Sequence, residues 1–317
     1  MKAKYLIKEI IKSIPGIEIV YKPKKDQGLT CNARYCYSIW LRHLIYAFQN
    51  GFNSMPKKIA ELGPGDSLGV GISALISGVE KYFALDVIKH CNLEVNLEIF
   101  EDIVALFQQR TAVPDENEFP RAYPYLEKYD FPSEIFSDDY LDQVLNKNRL
   151  LKIKESIISL KSSKTINKNN MISYVVPWDE SSLIQQHSLD MIISQAVLQH
   201  VHDLTLTYKC MNNWLKPKGL ISHQIDFTSV GFSDNWYGHW QYSDFEWKII
   251  KGKKNYYLNR EPHSTHIKLL NDNNFQLVFD LKTFSKESVD RKKFARRFKI
   301  FPLEDFIITG SFIQATK

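Results

Sequence analysis

Cysteine is scarce. Cys31, Cys36, Cys91 and Cys210 are the only ones in 317 residues, and no two stand in a C-x-x-C pair. That excludes a zinc or redox site of that pattern and fits a reducing compartment. No apolar run approaches the roughly 18 residues of a spanning helix. The opening MKAKYLIKEIIKSIPG is broken by Lys8, Glu9 and Lys12. It reads as an amphipathic helix rather than a secretion signal. The expectation is a cytoplasmic protein, with peripheral contact to a membrane surface left open. No strong charge of either sign is present. A net +5 and a pI near 8.8 are too weak to argue for a nucleic-acid binder. Neither G-K-[ST] nor H-E-x-x-H occurs, so a P-loop and a zinc-protease site are both out.

What is present suffices for a large core. Hydrophobic residues make up 44% of the chain and charged residues 24%, as in ordinary globular proteins. Residues 1–56 read as a helical preface, with ARYCYSIWLRHLIYAFQNG (33–51) at helical spacing and Gly51 as its stop. From Lys57 the order is strand (KKIAEL), glycine-rich loop, helix (LGVGISALISG), strand (KYFALD). That is a βαβ unit and predicts a parallel sheet. Residues from about 100 to 170 read as a helical insertion with a proline-rich centre, either a surface excursion or a lid over the substrate. Strands resume with MISYVV, LDMIIS and GLISHQIDF, and KPKG supplies the turn before the last. An aromatic insertion follows at about 228–262. Next come the helix STHIKLLNDNN, the strand FQLVFDL and the closing FIITGSFIQATK. The fold class expected is α/β: a doubly wound, mostly parallel seven-stranded sheet with an antiparallel closing strand.

The stretch IAELGPGDSLG (59–69) poses the functional question. Three glycines there bring backbone close to something. A dinucleotide loop wants G-x-G-x-x-G with a pyrophosphate on the helix N-terminus. Gly63 and Gly65 fit, but the third place is Leu68. Glu61 closes the first strand two residues before Gly63. A carboxylate there suits an ammonium group and repels a pyrophosphate. Asp86 closes the second strand and can accept two ribose hydroxyls, in either cofactor class.

In these residues the chain resembles class I S-adenosylmethionine-dependent methyltransferases, of the type 11-like bacterial group. ELGPGDSLG is similar to their first motif and ALD (84–86) to their second. LDMIISQAVLQHVHDL (189–204) resembles the fourth, with Gln195 and Gln199 where Asn and Glu are usual. WLKPKGLI (214–221) resembles the turn before strand five. The resemblance covers 57–91 and 171–227, and implies one methyltransferase domain over 57–317 with S-adenosylmethionine as cofactor. Glu61, Gly63 and Gly65 would line its methionine end and Asp86 its ribose. Trp178 and Asp179 would cup the adenine, with Ser194 and Gln195 closing beside the methionine moiety.

Methyl transfer to a hydroxyl needs a base, and ligands bind at the carboxyl ends of such strands. The candidates are Asp226, His239 and His200, with His202 and His223 less suited. The histidines lack metal-site spacing. The acceptor expected is a small molecule or a glycan-related compound. Polar groups among aromatic faces at 234–247 suit stacking on sugars, and Arg260 suits an anionic acceptor. The basic stretch at 290–301 is either a solvated face or a patch for an anionic membrane or nucleic acid. The lack of [ND]-P-P-[YFW] after strand four weighs against methylation of nucleic-acid bases. Two alternatives stay open: a nicotinamide-dependent oxidoreductase, and a non-catalytic binding protein on the methyltransferase fold. Oligomeric state is not legible in the sequence.

Overall fold

The computed structural model describes residues 29–88, 92–160, 170–178, 181–252, 258–287 and 289–317. Seven strands form one sheet in the order β3-β2-β1-β4-β5-β7-β6. They are β1 (Lys58–Leu62), β2 (Lys81–Leu85), β3 (Ile172–Val175), β4 (Leu189–Gln195), β5 (Leu215–Asp226), β6 (Gln276–Phe284) and β7 (Ile308–Thr316). The first five pair in parallel, and β7 runs antiparallel to both β5 and β6. This is the seven-stranded, mostly parallel sheet with an antiparallel closing strand expected from the sequence. The chain reverses direction across the sheet between β1 and β4, and the carboxyl ends of those neighbours form the crevice where such sheets bind ligands.

Helices cover both faces. On one side lie α1 (Ala33–Gln49), α2 (Gly69–Ile76) and α3 (Leu93–Gln108), followed by α4 (Asp138–Val144) and α5 (Lys147–Ser159). The other side carries α6 (Leu204–Trp214) and α8 (His263–Asp272), while α7 (Asp244–Lys251) belongs to the aromatic segment. Helix α1 is buried almost all round, with Trp40, Leu41 and Leu44 fully buried beside the hydrogen-bonded Arg42 and His43. A helix of that kind belongs inside a core. It shares one cluster with α2, α3 and the insertion residues Phe136 and Leu141. The described part of the N-terminal segment is thus built into the main core.

The link KPKG departs from its expected role. Residues 216–219 lie within β5, where Lys218 takes a φ of 66° and the register with β4 shifts between Leu189 and Met191. They form a strand irregularity instead of a turn, because Trp214 passes straight from α6 into the strand. The aromatic insertion folds on itself. Trp240 packs with Phe294, Phe298 and Phe306, while Tyr242 packs with Trp247, Ile250 and Leu258.

Buried imidazoles give the fold a marked acid sensitivity. His43, His223, His239 and His266 are at most 2% exposed. Burial pushes His43 down to about 4 and the other three to about 3. The unfolded chain takes up these protons below about pH 6.5, while the folded chain refuses them until its own lower values. Stability present above pH 6.5 is therefore lost as pH falls, by about 1.4 kcal/mol per pH unit and per histidine. A steep fall of the thermal midpoint between pH 6.5 and 4 is expected in a pH series of melting curves. A flat profile over that range would mean that the imidazoles accept protons in place.

Candidate functional site

The glycine loop sits between the ends of β1 and β2. Gly63 has a φ of 63° and donates its N–H to Leu85 O at 2.8 Å. A Cβ there would meet Val197 Cγ2 at 2.7 Å, so only glycine fits against the residues that follow β4. Three amides of the loop and the start of α2 are already satisfied by the protein. Asp66 donates to Thr30 Oγ1 at 3.1 Å, Leu68 to Asn96 Oδ1 at 2.8 Å, and Gly69 to Ser67 Oγ at 3.0 Å. A pyrophosphate held on a helix N-terminus needs such amides. The third loop glycine also has a packing role, because a Cβ on Gly69 would meet Cys36 Sγ of α1 at 2.4 Å.

Glu61 lies at the end of β1 and is 3% exposed. It accepts from the Tyr82 hydroxyl at 2.5 Å. Burial raises its pKa to about 7, against the lowering effect of Tyr82 and the Gly71 amide and with a further rise from Asp86. At neutral pH this carboxyl is poised between its two forms. Asp86 closes β2, with Oδ1 accepting from Val87 N at 2.7 Å and Ile88 N at 3.3 Å. Its carbonyl accepts from Trp178 N at 3.1 Å. Trp178 is thereby brought next to Asp86, with its ring edge-on to Trp214 at 6.0 Å. Asp179 lies outside the described residues.

At the end of β4, Ser194 and Gln195 face opposite sides of the sheet. Ser194 Oγ lies 2.8 Å from His223 Nδ1. Gln195 donates to Tyr123 O at 2.8 Å and sits 3.2 Å from His43 Nε2. Gln195 is therefore a strut between α1 and the insertion. Ala196 follows with a φ of 54°, in a region that residues other than glycine seldom visit.

Beyond these ends opens a cleft of about 610 Å³. Ala196, Gln224 and Asp226 lie at its sheet side, and Tyr35, Arg121 and Tyr123 reach it from α1 and the insertion. Hydroxyls and amides supply much of the remaining wall: Thr228, Ser229, Ser233, Asn235, Thr283 and Thr309. Asp226 is half-buried there, its Oδ1 accepting from Thr228 N at 2.8 Å.

The other candidate bases stand differently. His239 is buried behind the cleft wall, 3.0 Å from Ser229 Oγ through Nδ1, with its ring 4.6 Å from that of Trp240. Burial and the neighbouring Arg260 charge hold it neutral. His200 is half-buried in the 3₁₀ turn after β4 and is not among the cleft's lining residues. Asp203 caps α6 through Leu206 N. Arg260 is 3% exposed and donates to Tyr242 O and Asp244 Oδ1 at 2.7 and 2.6 Å, with its guanidinium over the Trp247 and Phe298 rings. It holds the aromatic segment together and does not reach the cleft, contrary to its expected role at an anionic acceptor. Sequence reasoning missed Tyr35, Arg121, Tyr123 and the hydroxyl row at 228–233. Only the insertion's length between β2 and β3 hinted at Arg121 and Tyr123, and nothing local marked Tyr35 of α1. Among the described residues no cluster of histidine, cysteine or carboxylate side chains could hold a metal ion.

No family model and no curated protein matches the chain. Solved structures similar to it include an S-adenosylmethionine-dependent methyltransferase from Methanosarcina mazei, with 13% identity, 86% of this chain and 97% of that one covered, and a TM-score of 0.43. A putative sarcosine dimethylglycine methyltransferase from Galdieria sulphuraria gives 11% identity, 88% and 84% coverage, and a TM-score of 0.43. Phosphoethanolamine N-methyltransferase 2 of Haemonchus contortus, solved with S-adenosyl-L-methionine, gives 12% identity, 92% and 58% coverage, and a TM-score of 0.42. The topology itself stands on the strand pairings described above, and function has to be read from the chain's own residues.

Proposed function

We propose that this chain is an S-adenosylmethionine-dependent methyltransferase acting on a hydroxylated small molecule or glycan-related acceptor. One observation carries the cofactor reading. Two carboxylates, Glu61 and Asp86, close neighbouring parallel strands around a glycine loop, and the Asp66, Leu68 and Gly69 amides there already have protein partners. That donor set suits a cationic amino-acid end and a ribose, and offers little to a pyrophosphate. The tight approach at Gly63 and the half-buried Trp178 ring support the same placement.

Bound there, S-adenosylmethionine supplies an activated methyl group on a sulfonium. The chain's own residues do the rest. Asp86 is assigned to the ribose through Oδ2, since Oδ1 is engaged with backbone amides. Glu61 acts by its charge through the loop, being nearly inaccessible itself. Asp226 takes the hydroxyl proton, because it is the assigned base that lines the cleft. His239 is assigned to hold Ser229 in that wall. The hydroxyl-rich lining suits an acceptor with several hydroxyl groups.

Glu61 gives this reading a pH signature. A cation over the loop favours the ionised carboxylate, so binding below the apo value of about 7 must release a proton. Cofactor affinity is expected to rise by up to about tenfold per pH unit below 7 and to level off above it. Calorimetry at pH 6 and 8 checks this, and Glu61→Gln should flatten the profile. Equal affinity of the natural protein at both pH values would remove Glu61 from the site. The acceptor class is tested by following S-adenosylhomocysteine formation with panels of polyhydroxylated, amine and carboxylate compounds. Turnover with the first panel is expected; turnover confined to amines would overturn the O-methylation reading.

A further inference from the structure

We infer that the connection between β6 and β7 is a docking surface for an anionic lipid layer. It stands apart from methyl transfer and rests on exposure and charge. The connection is anchored by its aromatics: Phe294, Phe298 and Phe306 are buried against Trp240. Val289 and Ala295 pack against that cluster, but other large apolar residues of the segment are left exposed. Ile300 is 82% exposed and Leu303 70%, while Phe284 and Ile307 at the strand ends are 53% and 42% exposed. Hydrogen bonds gather these positions. Ser285 N–H donates to Ile307 O at 2.7 Å, and the Arg291 guanidinium donates to the carbonyls of Lys299 and Phe301. A loop that buries three aromatics yet leaves four large apolar side chains in water has an unfilled apolar face.

The unpaired charge around that face is predominantly positive. Lys286, Lys292, Arg296 and Lys299 are exposed and have no ion pair among the described residues. Most acids nearby are occupied: Glu304 pairs with Lys282, Asp290 with Lys293, and Asp305 is buried on Ser264, which leaves Glu287 against four unpaired cations. Exposed aliphatics ringed by unpaired cations match the boundary of an anionic bilayer, which takes the apolar side chains and attracts the cations together. A nucleic acid would use the cations but leave Ile300 and Leu303 without partners. A second copy would bring the same positive charge against itself in a two-fold contact. The first 28 residues carry seven lysines against three acids, so they too have the wrong sign. Thr283 and Thr309 line the cleft, next in the chain to Phe284 and near Ile307. Docking there holds the cleft mouth close to the lipid surface.

The test is co-sedimentation of the full chain with vesicles of phosphatidylcholine alone or with about 30% phosphatidylglycerol. The natural protein is expected to bind only the anionic vesicles, and to be released as salt shortens the screening length. Ile300→Asp with Leu303→Asp should abolish binding. Arg296→Gln and Lys299→Gln should each weaken it about fivefold. All these positions are exposed, so melting temperature and cofactor binding should stay unchanged, which separates this outcome from failure of the methyltransferase reading. Absence of binding to anionic vesicles overturns the inference, as does binding that ignores the substitutions. Self-association abolished by Ile300→Asp with Leu303→Asp, or RNA binding without vesicle binding, would overturn it in favour of another partner.

Discussion

Asp226→Asn is expected to lower turnover by about 10²- to 10⁴-fold, the range for loss of a positioned general base. The substitution is chosen for its shape. The amide side chain keeps an oxygen to accept from Thr228 N, so the turn after β5 survives. What it loses is the capacity to take a proton. Cofactor affinity should therefore stay within about twofold, and the melting temperature should hold. A rate loss shared between turnover and cofactor affinity would point to a structural role for Asp226. Undiminished turnover would remove it from the chemistry. His239→Gln provides the contrast, because its effect would have to travel through Ser229.

The second large effect is expected at Asp86. Asp86→Asn retains an oxygen for the Val87 and Ile88 amides but replaces the other oxygen by a donor. A ribose that presents two hydroxyl donors then meets an N–H in place of a carboxylate. Hydrogen bonds to a charged group contribute about 1.5–3 kcal/mol each, so S-adenosylmethionine affinity should fall by roughly 10²-fold or more. Calorimetry reads this directly. Unchanged affinity would move the ribose away from β2 and with it the placement of the cofactor.

The parallel sheet was legible because its strands are short apolar runs bounded by Gly, Asp and Gln, and a loop of the form ELGPGDSLG admits few other settings. Glu61 and Asp86 stood out because a carboxylate at a buried strand end has few structural explanations. The cleft was less legible for a physical reason. Its walls come from α1, the insertion and the segment after β5, which meet only through long-range contacts such as Gln195 to Tyr123 O and Arg42 to Pro124 O. No local pattern encodes such meetings. Aromatic density at 234–247 suggested ligand stacking; Trp236 does line the cleft, but Trp240, Tyr242 and Trp247 are buried in small aromatic clusters of the protein's own. Composition alone cannot separate a stacking platform from a small core. Arg260 misled in the same way, since its partners lie on α7 and at Phe298.

The most direct measurement for the central claim is a thermal-shift comparison of the full chain with S-adenosylmethionine, S-adenosylhomocysteine, NADH and no ligand. A ligand that binds only the folded state stabilises it by about 2.7 kcal/mol at a hundredfold excess over its Kd. The arrangement of Glu61, Asp86 and the occupied loop amides predicts a clear rise with both adenosyl ligands and none with NADH. A rise with NADH alone, or no rise with either adenosyl ligand, would contradict it.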